Sequence, residues 1–235
     1  MRRWPSLALL AAAAASPAPL AAQAYQCRLP QTARVPAITP EAPPRATPVT
    51  GYTLALSWSP EFCKPRKGEA RHAFQCAGEN GRFGFVVHGL WPQGTRGWPQ
   101  WCPTQNRLTP AELRRNLCMM PSPRLAARQW AKHGACMTRR PETYFGVTRV
   151  LWESLRLPDY DRLSREDALT AGRIRTAFLE ANPGWPRGAV GVKLNERGWL
   201  QELRLCYSRR FRPVRCDPAR FGVRDGARAK IWRGL

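Results

Sequence analysis

The sequence predicts an α+β fold, a central antiparallel sheet with helices packed on it and stapled by disulfides. Three observations predict it. Stretches alternating with period two lie early, at 52–58 and 83–88, and late, at 190–194 and 199–207, while patterns with helix start signals fill the middle. Strands followed by helices and then by strands favour an antiparallel sheet. The chain has eight cysteines in 235 residues. An even number behind an export-type leader points to four disulfides rather than to thiol chemistry.

Taken in order, the chain opens with Arg2 and Arg3, an apolar run over 7–15, and Ala22-Gln-Ala24. This is the layout of a secretory signal cut after Ala24, too short to span a membrane, and it places the mature chain in the periplasm or outside the cell. Residues 25–50 hold six prolines and no apolar period, which predicts an extended lead-in pinned by Cys27. A single folded domain is expected over 51–216 and a basic tail over 217–235. Within the domain, the strand 52–58 is followed by a loop over 59–82. The strand 83–88 ends at His88 and hands over to a Gly/Pro-marked loop holding Trp91 and Gln93. Thr109-Pro-Ala-Glu112 is a capping box opening a helix to about Leu117. Ser122 is the N-cap of a second helix over 123–133, with Pro123 in the first position and Gly134 as the left-handed residue after its end. Pro141 opens a third, and Thr170 a fourth that Asn-Pro-Gly closes. A hairpin turns at Asn195-Glu-Arg-Gly198, and 211–216 forms a last short strand. No internal repeat is present, and no run after the leader is long and apolar enough to span a membrane.

The formal net charge is +22, and only Arg2 and Arg3 leave with the leader. A field of this size favours polyanions, nucleic acid or an acidic envelope surface, although a solubilising Arg-rich surface has the same composition. No C-x-x-C spacing occurs, so a zinc site is not expected. Cysteine connectivity does not follow from spacing. Cys206 and Cys216 are close enough to clasp a hairpin, and Cys63 and Cys76 to close a short loop.

Of three histidines, His88 and His133 stand beside glycines at the ends of regular elements, where a side chain can face a cleft. His72 lies in a basic loop and reads as a surface residue. On the helix, Gln129 is one turn before His133, and Arg128 is one turn before Lys132. Two imidazoles permit concerted acid–base catalysis, and a Lys/Arg pair can stabilise charge developing on phosphoryl oxygens. The combination suits attack of an RNA 2′-hydroxyl on its own phosphate without a metal or cofactor. Trp91 is either a stacking platform for a base or a core residue. Gln93 is either a hydrogen-bonding partner for a base edge or a solvated loop residue.

Phe85-Val-Val-His-Gly-Leu-Trp-Pro92 and Trp130-Ala-Lys-His-Gly-Ala-Cys136 resemble the two active-site signatures of the ribonuclease T2 family, secreted or vacuolar endoribonucleases of broad base tolerance. Leu54-Ala-Leu-Ser-Trp-Ser-Pro60 with Cys63 is also similar to theirs. The resemblance covers roughly residues 52–216. It implies an α+β fold, no cofactor and cleavage through a 2′,3′-cyclic phosphate; the expected partner is single-stranded RNA and the expected state a monomer. It makes His133 the base and His88 the acid in the transfer step, puts Lys132 on the phosphorane, and has Trp91 hold a base. It implies disulfides pairing Cys102 with Cys136 and Cys206 with Cys216, with Cys63 to Cys76 and Cys27 to Cys118 following from these. The second signature departs from the family's usual His-Glu before the Trp, having Arg128-Gln129 instead. Gln129 can hydrogen-bond a phosphoryl oxygen but carries neither proton nor charge; Arg128 supplies a fixed positive charge. The alternative is therefore a secreted RNA-binding or cytotoxic protein with weak or lost catalysis.

Overall fold

The computed structural model describes residues 24–234, so the expected leader lies outside the described residues except for Ala24. In chain order the elements are β1 (Ala24–Cys27), β2 (Gly51–Trp58), α1 (Ser59–Cys63), α2 (Ala73–Cys76), β3 (Gly81–Phe83), β4 (Phe85–Gln93), α3 (Pro110–Asn116) and α4 (Pro123–Lys132). They continue with α5 (Pro141–Glu153), α6 (Tyr160–Leu163), α7 (Ala171–Ala181), β5 (Val190–Leu194), β6 (Leu200–Ser208) and α8 (Pro218–Phe221). The main sheet has four antiparallel strands in the order β4-β2-β6-β5, and β1 pairs with β3 in a separate ribbon.

The two faces of the sheet differ because β2 alternates large and small residues. Leu54, Leu56 and Trp58 are buried on one face with Leu203, Leu205, Val190 and Val192. They join Tyr144, Phe145, Ile174 and Phe178 of α5 and α7 in a single core. The other face of β2 presents Thr53, Ala55 and Ser57, which pair across to Cys206, Arg204 and Glu202 of β6.

Helix starts follow the sequence signals. Thr109, Ser122 and Thr170 each accept a backbone N–H from the third residue of the helix that follows. The disulfides pair Cys27 with Cys118, Cys63 with Cys76, Cys102 with Cys136 and Cys206 with Cys216.

Five expectations are corrected, the first being the loop over 59–82, which instead holds α1, α2 and most of β3. The strand holding His88 does not end there; β4 runs to Gln93 beside β2. It tolerates Pro92 because it is an edge strand. That edge is closed by Val87 N–H donating to the Met119 carbonyl at 2.9 Å and by the Tyr144 hydroxyl, 3.2 Å from both the N and the O of Leu90. Gly134 is not left-handed: it continues into a short 3-10 turn. A Cβ there would lie 2.5 Å from the Trp130 ring and 2.8 Å from Tyr144, so close packing rather than backbone freedom demands glycine. No strand forms over 211–216, because Phe211 takes φ 55° and Pro213 lacks a donor, leaving one isolated bridge between Tyr207 and Pro213. His72 is not freely solvated; its ring meets Phe62 edge-on at 5.1 Å. The tail is also more ordered than its composition suggests. Leu200 N–H donates to the Lys230 carbonyl at 2.8 Å, Lys230 N–H to that of Gly198 at 2.8 Å, and the Trp58 indole to that of Trp232 at 2.6 Å.

Candidate active site

His88 sits at a flaw in the β4 ladder. Ala55 of β2 pairs with Gly89 and Leu56 pairs with Val87, so His88 is the extra residue of a bulge. A bulge turns its side chain out of the regular alternation. The ring is aimed over the small residues of β2, and its Nδ1 lies 2.8 Å from Glu202 Oε2 on β6. The carboxylate accepts, so Nδ1 carries the proton and Nε2 is left for the cleft. Glu202 is 6% exposed and also accepts from Arg204 Nε at 2.7 Å. Burial raises its pKa, but the hydrogen bonds and charges of His88 and Arg204 outweigh burial and hold the carboxyl below its ordinary value.

His133 is the residue at which α4 ends, with its N–H still bonded to the Gln129 carbonyl at 3.0 Å. It is 7% exposed, and its Nδ1 is buried without a hydrogen-bond partner among the described residues. Burial, then Lys132, Arg128 and His88, lower its pKa from 6.5 to about 3, with Glu41 pulling the other way. The imidazole is therefore neutral at neutral pH.

Trp91 stands between the two. Its ring centroid is 5.1 Å from that of His88, edge-on, and 6.0 Å from that of His133. Its Nε1 donates to Gln129 Oε1 at 2.9 Å. An indole N–H can only donate, so the amide oxygen of Gln129 must face it and the amide NH2 group faces away. Gly89 makes room for this contact, since a Cβ there would lie 2.1 Å from Gln129 Oε1. Arg204 approaches the Trp91 ring at 6.0 Å. Gln93 is not drawn into this cluster; its amide donates to the Trp91 carbonyl at 3.2 Å.

Lys132 and Arg128 meet on one carboxylate. Lys132 Nζ is 2.6 Å from Glu41 Oε1, and Arg128 Nη2 donates to the same oxygen. Burial tends to raise the Glu41 pKa, but the Lys132 hydrogen bond and both cations outweigh burial and lower it. The loop before α3 is held to the end of α4 by Trp101 N–H, 2.8 Å from the Lys132 carbonyl, and by the disulfide from Cys102 to Cys136.

Glu41, Glu202 and Arg204 escaped the sequence reading. Glu202 and Arg204 look like ordinary polar positions of a period-two strand, and Glu202 bonds a residue 114 positions away. Glu41 lies among prolines, where no periodicity marks it. Among the described residues no group of three His, Cys, Asp or Glu side chains is placed to hold a metal, and no helix is long and apolar enough to cross a membrane.

Fold and site together define a disulfide-stapled α+β domain with two imidazoles, from a strand bulge and a helix end, against one indole. The model of the Ribonuclease T2 family matches residues 50–169, and the chain belongs to that family. It is 32% identical over 182 residues to a probable ribonuclease of Haemophilus influenzae, covering 72% of this chain and 62% of that protein. It is 44% identical over 85 residues to a ribonuclease of Aeromonas hydrophila, covering 36% of each. The chain thus spans less than two thirds of the length of these two relatives. Among solved structures, trichomaglin, described as an S-like ribonuclease, shares the fold with a TM-score of 0.62 at 22% identity, over 79% of this chain and 98% of that one.

Proposed function

We propose that the protein is an endoribonuclease that cleaves single-stranded RNA by transphosphorylation, through a 2′,3′-cyclic phosphate and without a metal ion. The observation that carries this reading is the Trp91 ring lying 5.1 Å from His88 and 6.0 Å from His133, which brings both signatures to one cleft. His133, neutral in its buried setting, takes the 2′-hydroxyl proton. The approaching phosphate opposes the effect of Lys132 and Arg128 on this ring and strengthens it as a base. His88, oriented by the Glu202 carboxylate at its Nδ1, delivers a proton from Nε2 to the leaving 5′-oxygen. Lys132 and Arg128 face the negative charge growing on the phosphoryl oxygens, and the NH2 group of Gln129 is a third donor there. Trp91 supplies a wall against which a base can rest.

The test is purified protein with a defined RNA in the presence of a chelator, with products resolved by their ends. Cyclic-phosphate termini are expected, and His88→Ala or His133→Ala should abolish them. Undiminished cleavage by either variant sinks the assignment. A second reading, RNA binding with lost turnover, is favoured by Gln129, whose amide oxygen is engaged by Trp91 where the family's usual signature has an ionised Glu. The Arg128→His, Gln129→Glu double change separates the two. A rise from a measurable baseline marks an enzyme, and the absence of any baseline a binder.

A further inference from the structure

Glu41 comes from the lead-in, not from either signature, yet its carboxylate occupies the two cations best placed to meet a phosphate. One oxygen, Oε1, receives Lys132 Nζ at 2.6 Å and also Arg128 Nη2. That is how a phosphoryl oxygen would be held. The segment carrying it is clamped on the far side of Glu41. Arg45 N and O lie 2.8 and 2.9 Å from Gln100 O and N, and Gln100 Nε2 donates to the Pro43 carbonyl at 3.2 Å. Gln100 in turn lies in the loop tied to Lys132 by Trp101 and the disulfide from Cys102 to Cys136. Pro40, Pro43 and Pro44 stiffen the stretch around Glu41. The backbone just after Glu41 is therefore tied to the loop that also meets Lys132.

We propose that Glu41 is a built-in counter-anion of the phosphate subsite, which substrate and product phosphates compete with for Arg128 and Lys132. It sets how tightly the protein grips phosphate. Side-chain exposure is 44% at Glu41, 36% at Arg128 and 16% at Lys132, so an entering phosphodiester meets Arg128 and the shared carboxylate first. Glu41 lowers their combined field, weakens capture of RNA and speeds loss of the cleaved product. This inference rests on the ribonuclease reading only in taking this face as the phosphate site.

The test is Glu41→Gln, which keeps the shape and removes the charge. Binding of inorganic phosphate and of an uncleavable 2′-O-methyl oligoribonucleotide is measured on the full mature chain. At low salt both should bind about fivefold more tightly, the scale of one partly exposed charge at contact distance. The gain should fade by about 0.5 M salt, where screening falls to a few ångströms. In cleavage, KM should drop by a similar factor with kcat within about twofold. Lys132→Gln introduced together with Arg128→Gln should erase the gain. Unchanged or weaker binding by E41Q, with an unaltered melting temperature, overturns the proposal. So does a fall in kcat at constant KM, which would make Glu41 a positioning group for Lys132. Absence of cleavage by the unsubstituted protein would refute the ribonuclease reading and leave the binding result to decide this one.

Discussion

The two histidines of the cleft are the same residue in opposite surroundings. His88 stands half-exposed on a strand with a buried carboxylate against its Nδ1. His133 is buried at a helix end beside two cations, with its Nδ1 unpartnered. The first is oriented by a carboxylate; the second is held neutral by burial and by the neighbouring cations. On the proposed mechanism these different surroundings suit the two rings to different roles, without any difference in side-chain chemistry. Two carboxylates from outside the signatures bear on this contrast: Glu202 orients His88, while Glu41, among the cations near His133, partly offsets their effect on that ring.

The largest expected effect comes from erasing either member. His88→Ala and His133→Ala should each lower kcat by about 10³-fold or more in single-turnover cleavage of a defined RNA, because each removes a whole proton-transfer step. The double variant should be scarcely worse than either single one, since the pair acts as a unit.

The second test concerns stability. An unfolded His133 titrates near 6.5 and the folded one near 3, so between those values the unfolded chain binds more protons and stability must rise with pH across the window. On acidification from pH 7 to pH 4, this group alone should cost about 3 kcal/mol, measured by urea unfolding. His133→Asn should flatten that slope. Glu202 acts at lower pH: its depressed pKa adds stability above the ordinary carboxyl range that is lost as pH falls through the folded value.

A smaller effect sharpens the His88 side. Glu202→Gln keeps a hydrogen-bonding oxygen but no charge, and should lower kcat roughly tenfold to hundredfold with KM nearly constant. An unchanged kcat would show that the carboxylate only orders the sheet. The smallest is Trp91→Phe, which removes the N–H that orients Gln129. It should cost about 1 kcal/mol in transition-state stabilisation, read as a severalfold loss in kcat/KM.

Much of the fold was legible because its signals are local. Thr109, Ser122 and Thr170 cap the helices they announce, and the period-two stretches became β2, β4, β5 and β6. Errors arose where a local rule met a tertiary contact. Gly134 looks like a helix terminator but answers to the rings of Trp130 and Tyr144. Pro92 looks like the end of a strand but lies on an edge closed by Tyr144 and Met119. Of the site, His88, Trp91, Gln129, Lys132 and His133 were marked by sequence and lie together. Glu202 and Glu41 were not, because a carboxylate acquires such a role only through a partner far along the chain.

The bulge at His88 carries a consequence for how the family position can vary. Deleting that one residue would bring Val87 and Gly89 into an unbroken ladder with Leu56 and Ala55, and the strand would pair more regularly than it does now. On the proposed mechanism the chemistry depends on this irregularity, so a descendant that repaired its sheet by a single-codon loss would gain order and forfeit its imidazole together.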